Sequence, residues 1–63
     1  MKERLQQIKE FIDRYGKVEF HELESAFPEV SAMTLRRDLI RLEENNAVIR
    51  ISGGAISVDS VLK

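Results

Sequence analysis

The chain contains no cysteine and no tryptophan, and only one proline, one histidine and three glycines among 63 residues. Without cysteine there is no disulfide framework, no thiol nucleophile and no thiolate metal site, and nothing points to an oxidising compartment. A lone histidine, His21, rules out histidine pairs and an ordinary Ser-His-Asp arrangement, and it reads as a surface residue near the start of the second helix. Long apolar runs are missing too. The start, Met1-Lys2-Glu3-Arg4, leads into charged sequence, so neither a signal peptide nor a membrane span is expected, and the expected location is cytoplasmic. A nucleotide-type glycine loop is absent.

What remains is an ordinary globular balance, 43% hydrophobic against 33% charged, in a length that allows one small domain of modest stability. The formal net charge of −1 conceals an uneven distribution. Residues 1–17 carry +2, residues 18–30 carry −4 through Glu19, Glu22, Glu24 and Glu29, and residues 31–63 carry +1. Arg36, Arg37, Arg41 and Arg50 form a local cationic cluster in the last stretch.

Hydrophobic spacing sets the expected elements. Leu5, Ile8, Phe11, Ile12 and Tyr15 recur at helical intervals over residues 2–15, and Gly16 supplies a stop. Val18 and Phe20 flank Glu19 as a short strand, and Leu23, Ala26 and Phe27 suit a short helix ended by Pro28. Ser31 then offers its hydroxyl to the free amides of a third helix running toward Asn45, where Asn45 or Asn46 can take the left-handed conformation that ends it. At about 100° per residue, Leu35, Leu39 and Leu42 of that helix share one stripe. Met33, Arg37 and Ile40 lie opposite, flanked by Thr34, Arg36 and Arg41, so the outer face opens basic and Glu44 closes it. Ile49 and Ile51 alternate with Arg50, Gly53-Gly54 follows, and Ile56 and Val58 alternate with Ser57: a hairpin with a tight glycine turn. The isoleucine side is expected to pack on the helices, with Arg50 facing out and the strand at Val18 as a third member. Phe11, Tyr15, Phe20 and Phe27 are read as core residues rather than a stacking platform for bases.

Helix, short strand, helix, helix and a two-stranded hairpin make a mostly α fold with a small β-sheet, in the order of a winged helix-turn-helix. The residues also resemble a family. Ser31-Ala32-Met33-Thr34-Leu35-Arg36-Arg37-Asp38-Leu39, then Leu42-Glu43, then Arg50-Ile51-Ser52-Gly53-Gly54-Ala55 are similar to the signature of the DeoR family of bacterial transcriptional regulators. The resemblance spans about Leu5 to Ala55. Three features depart from the family pattern. Ser52 stands where histidine is usual, which removes a phosphate donor; Asn46 stands where glycine is usual; and the turn Phe27-Pro28-Glu29-Val30-Ser31 is one residue longer, which could tilt the third helix. The resemblance implies the DNA-reading head of a longer protein, a repressor of sugar or carbohydrate metabolism genes. Residues 1–58 would form the winged helix-turn-helix domain, and residues 59–63 would begin the linker to an absent C-terminal effector domain. That domain would sense a phosphorylated sugar and drive homo-oligomerisation, leaving the isolated head monomeric.

On this reading the partner is a double-stranded DNA operator. Arg37 is the expected base reader, with Met33 packing on a thymine methyl. Arg36 and Arg41 suit phosphates, or pair within the helix with Glu43 and Glu44. Ser31 and Thr34 stand at the positive end of the helix, where they cap it, meet a phosphate, or both. Asp38, on the shoulder of the leucine stripe, is expected to pair with a nearby cation or amide. Arg50, Gly53 and Gly54 would bring the wing to the DNA backbone, the glycines serving turn geometry at the same time. No cofactor, metal or enzymatic activity is expected, for want of a nucleophile with a base beside it or of room for a deep pocket. The alternative function is a winged-helix protein-interaction module that presents the acidic stretch 18–30 to a basic partner.

Overall fold

A computed structural model describes residues 3–58. The first helix, α1 (Arg4–Tyr15), buries Ile8 and Ile12 and ends where the Gly16 amide donates to the Ile12 carbonyl at 2.8 Å. Strand β1 is Lys17–Glu19, and helix α2 is Phe20–Ala26. The strand expected at Val18 to Phe20 is thus displaced by one residue, because Phe20 already opens α2. At that junction the Glu22 carboxylate accepts from the Glu19 amide at 2.8 Å, which satisfies a donor the helix leaves free. Pro28 and Glu29 form the turn that follows, closed by Val30 N donating to Phe27 O at 3.0 Å.

Helix α3 (Ala32–Glu44) begins at Ser31, whose Oγ accepts from the Thr34 amide at 3.2 Å, the cap expected from sequence. It ends through Asn46, which adopts φ 60, so the second asparagine takes the left-handed position. Strands β2 (Val48–Ile51) and β3 (Gly54–Ser57) complete an antiparallel sheet of order β1-β3-β2. The fold is a winged helix-turn-helix in the expected element order.

The core comprises Ile8, Ile12, Val18, Leu23, Leu35, Leu39, Leu42, Val48 and Ala55. The leucine stripe of α3 is buried as its spacing predicts. The hairpin isoleucines are not. Val48, Ala55 and Ser57 are the buried strand residues, whereas Ile49 is 39% exposed and Ile51 and Ile56 are half-buried. A strand's faces alternate with period two, so choosing Val48 for the core sends Ile49 and Ile51 outward and puts Arg50 on the helix-facing side. This corrects both the expected isoleucine face and the expected outward Arg50. The loop is also shifted: Ile51 pairs with Gly54, leaving Ser52-Gly53 as the two-residue turn. Val58 does not continue β3 and is helical, and the linker expected over residues 59–63 lies outside the described residues.

Two polar contacts tie the elements together. Asp38 is buried on α3 and meets Arg4 of α1, Nε to Oδ2, at 2.5 Å, which is the cation pairing expected of it. Ser57 is buried at the end of β3, and its Oγ donates to Asp13 Oδ1 at 2.9 Å while Lys9 holds the other carboxylate oxygen at 2.6 Å. Among the described residues no helix is long and apolar enough to cross a membrane.

Candidate nucleic-acid interface

With Leu35, Leu39 and Leu42 directed into the core, the geometry of α3 requires the opposite face to be open. Met33 is 67% exposed, Ile40 is 39% exposed, and Arg36, Arg37 and Arg41 are all exposed. Among the described residues the Arg37 and Arg41 side chains make no ion pair and no hydrogen bond, so both guanidiniums present all their donors to solvent. Ser31 Oγ donates to Thr34 Oγ1 at 2.9 Å while accepting the Thr34 amide. Both hydroxyl groups are therefore engaged in the cap, at the end of the helix where the dipole favours an anion.

Arg36 and Arg50 are held differently. The Arg36 guanidinium lies over the Phe20 ring, with Cζ 4.8 Å from the centroid, a cation–π arrangement. Arg50 Nε donates to Glu43 Oε1 at 3.0 Å. Glu43 thus pairs across to the wing rather than back to Arg36 along α3. A cleft of about 450 Å³ opens between α3 and the wing, with Phe20, Arg36, Leu39 and Arg50 on its walls and Gly53 and Gly54 at the turn. Of the residues singled out in the sequence, Arg36, Arg50, Gly53 and Gly54 are brought together here; Met33, Arg37 and Arg41 stand on the open face of α3.

The two turn glycines have separate reasons to be glycine. Gly53 takes φ 81 at the second turn position, a left-handed conformation, and its missing Cβ would meet open space. Gly54 sits against β1, where a Cβ would lie 2.0 Å from the Val18 carbonyl oxygen. Its absence of a side chain is what allows β3 to pair with β1. The turn is further secured by the Phe20 amide donating to the Gly53 carbonyl at 2.7 Å.

Sequence reasoning misses Phe20 and Glu43 as parts of this surface. Alternation with Val18 directs Phe20 to the core, and the spacing of Glu43 offers it partners only on its own helix. The strand periodicity, taken with Val48 as a core residue, is the signal that would turn Arg50 toward α3. The other aromatics divide: Phe11 and Phe27 are half-buried and meet edge-on at 6.0 Å, whereas Tyr15, 60% exposed, is not the core residue expected. His21 is exposed near the start of α2, its Nδ1 3.2 Å from Glu19 Oε2.

The DeoR-like helix-turn-helix domain model matches residues 4–61, nearly the whole chain. The chain belongs to the DeoR-like helix-turn-helix domain family. It is 43% identical over 54 residues to the HTH-type transcriptional repressor GlcR of Bacillus subtilis (strain 168), covering 86% of this chain and 20% of that protein. Over 61 residues it is 38% identical to an uncharacterized HTH-type transcriptional regulator of Staphylococcus epidermidis, covering 97% of this chain and 24% of that protein. Identity to the HTH-type transcriptional regulator IolR of Bacillus subtilis (strain 168) is 38% over 56 residues, 89% of this chain and 22% of that protein. The chain therefore spans about a quarter or less of the length of these relatives. No solved structure matches it.

Proposed function

We propose that this DeoR-like domain reads double-stranded DNA in a sequence-specific way, as the DNA-binding head of a bacterial transcriptional repressor. The observation that carries the reading is the open face of α3, where Arg37 and Arg41 have no partner and Met33 is exposed beside them. Duplex recognition needs base readers on an element narrow enough for the major groove, together with cations at its edges that meet phosphates. Here Arg37 and Met33 are the base readers. Arg36, Arg41 and the wing residue Arg50 meet phosphates, Ser31 and Thr34 offer a capped helix N-terminus to the backbone, and Gly53 and Gly54 bring the wing main chain close.

A single head of this size gives modest affinity, so the working unit is a homo-oligomer whose heads occupy half-sites about one helical turn apart. Oligomerisation, and a response to a phosphorylated sugar, would reside in a further C-terminal domain, with residues 1–58 as the head and 59–63 the start of the linker. Genes of sugar or carbohydrate metabolism are the proposed targets, and the bacterial cytoplasm the place of action. The name of the GlcR relative, a transcriptional repressor, supports the sign of regulation.

The test is an amide chemical-shift titration of the 63-residue chain with a short random duplex at low and at higher salt. The expected shifts cluster at residues 31–41 and 50–55 and reverse with salt, with a slope of log affinity against log salt of roughly −2 to −3 for about two to three neutralised phosphates. Shifts centred on residues 19–29, or none, would refute DNA reading and direct attention to a protein partner.

A further inference from the structure

Arg36 and Arg50 come from different elements and face one cleft, and each is oriented by a residue outside the basic cluster. We propose that this cleft seats one phosphodiester of the duplex backbone, with Phe20 as the residue that positions Arg36 for it. The inference rests on the DNA-binding reading above and adds to it a defined phosphate position and a role for an aromatic residue of α2.

A free surface arginine samples many rotamers, and ordering it on a phosphate costs rotamer entropy. Stacking on an aromatic face removes part of that freedom beforehand and leaves the edge of the guanidinium, which carries the N–H donors, open to a second partner. The Phe20 ring is itself half-buried against the core, so it is a fixed platform. The Phe20 amide also bonds the Gly53 carbonyl at 2.7 Å, so the platform and the wing turn are locked to one another. Arg50 lines the same cleft, held by the Glu43 carboxylate, which a phosphate oxygen can replace. Two guanidiniums lining one cleft match a singly charged phosphodiester with two free oxygens.

The experiment measures affinity for one fixed 24-base-pair random duplex across a salt series, with thermal melts of every variant. Arg36→Ala should weaken binding but lower the magnitude of the salt slope by well under about 0.9, since Arg50 still neutralises the shared phosphate, and only Arg36→Ala with Arg50→Ala should lose about 0.9. Arg36→Lys keeps the charge but loses the guanidinium that lies over the ring and its fork of donors, and is expected to weaken binding about threefold. Phe20→Leu should cause a similar loss, Phe20→Tyr should restore binding, and Phe20→Leu should add nothing in an Arg36→Ala background. Arg36→Lys lies on the exposed face and leaves the core intact, so it decides the matter if Phe20→Leu does not fold. Wild-type affinity in Arg36→Lys, or a Phe20→Leu loss that persists undiminished without Arg36, would overturn the positioning role while leaving DNA binding in place. Unchanged affinity and slope in both Arg36→Ala and Arg50→Ala would remove the phosphate seat, and no binding by the unaltered chain would remove the underlying reading.

Discussion

Arg50 of the wing strand β2 and Glu43 of α3 are joined, Nε to Oε1, at 3.0 Å. Both side chains are nearly half exposed, 46% and 44%, so the pair contributes only about 0–1 kcal/mol to stability. A contact that weak does little to hold the fold, but on the proposed reading it would compete with DNA for the wing arginine. Replacing Glu43 by Gln keeps a hydrogen-bond acceptor while removing the charge. The expected result is tighter duplex binding by roughly two- to fivefold at low salt, with a melting temperature close to that of the parent. Arg50→Ala should weaken binding to all sequences alike, with a fall in the magnitude of the salt slope well under about 0.9 because Arg36 still neutralises the phosphate the two share. Fluorescence anisotropy on random duplexes at several salt concentrations measures both.

Arg37 differs from Arg50 in having no partner to surrender. It stands near the centre of the open face of α3, where a guanidinium can meet the O6 and N7 edge of guanine. Arg37→Ala should cost about 1–3 kcal/mol on a cognate site selected from a random pool and much less on random duplex, with folding stability changed by less than about 0.5 kcal/mol. Equal losses on the two duplexes would reduce Arg37 to a phosphate contact.

Much of this surface is legible in the amino-acid sequence. The stripe of Leu35, Leu39 and Leu42 determines which side of α3 is open, and Ser31 marks where the helix begins; both follow from local rules of period and capping. The fate of Asp38 is legible in kind, as a shoulder residue needing a cation, although nothing local names Arg4, 34 positions away, as that cation. The hairpin misleads for a physical reason. Its two faces, Val48 with Arg50 and Ile49 with Ile51, each carry apolar side chains that qualify them as the core side, and propensity favours the isoleucines. Packing decides otherwise. The position of Val48 immediately after the α3 turn, and the requirement that Ala55 fit beneath Val18 and beside Arg50 in the register, are tertiary facts. Glu43 beside Arg50 depends on the same choice of face and is hidden with it, whereas Phe20 under Arg36 is hidden because α2 opens at Phe20 and cuts the strand alternation short.

The turn glycines should respond to substitution in different ways. At Gly54 an added methyl would lie 2.0 Å from the Val18 carbonyl oxygen, which belongs to backbone and cannot swing aside. Gly54→Ala must therefore separate β1 from β3, and a loss of about 3 kcal/mol or more is expected, enough to unfold much of so small a domain. At Gly53 the methyl meets nothing, and only the positive φ of 81 resists it, so Gly53→Ala should cost about 1–2 kcal/mol and Gly53→Asn less. Urea unfolding followed by far-ultraviolet circular dichroism separates the two. Similar costs at both positions would mean that β1 and β3 do not approach closely at Gly54.

Asp13 should contribute to acid sensitivity. Burial by itself pushes this carboxyl up, but hydrogen bonds from Lys9 and Ser57 and the nearby Lys9 charge outweigh it, and the net shift is downward. A group whose folded pKa lies below its unfolded value binds protons more readily when unfolded, so stability rises with pH across the interval between the two values. The contribution of Asp13 is accordingly complete above the unfolded carboxylate pKa of about 3.9 and is lost as pH falls through the lower folded value. Asp13→Asn removes this titration. At neutral pH the variant should be less stable by about 1 kcal/mol, since the charge-assisted contacts to Lys9 and Ser57 are weakened. Below about pH 4 the difference should shrink, because protonation turns the native carboxylate into a neutral acceptor much like the amide. Ser57→Ala provides the control: it removes one of the hydrogen bonds that lowers the Asp13 pKa while leaving Lys9 in place, so its pH dependence should lie between those of the parent and Asp13→Asn. Urea midpoints collected between pH 2.5 and 7 test the ordering, and parallel curves for all three proteins would show that another carboxylate controls acid unfolding.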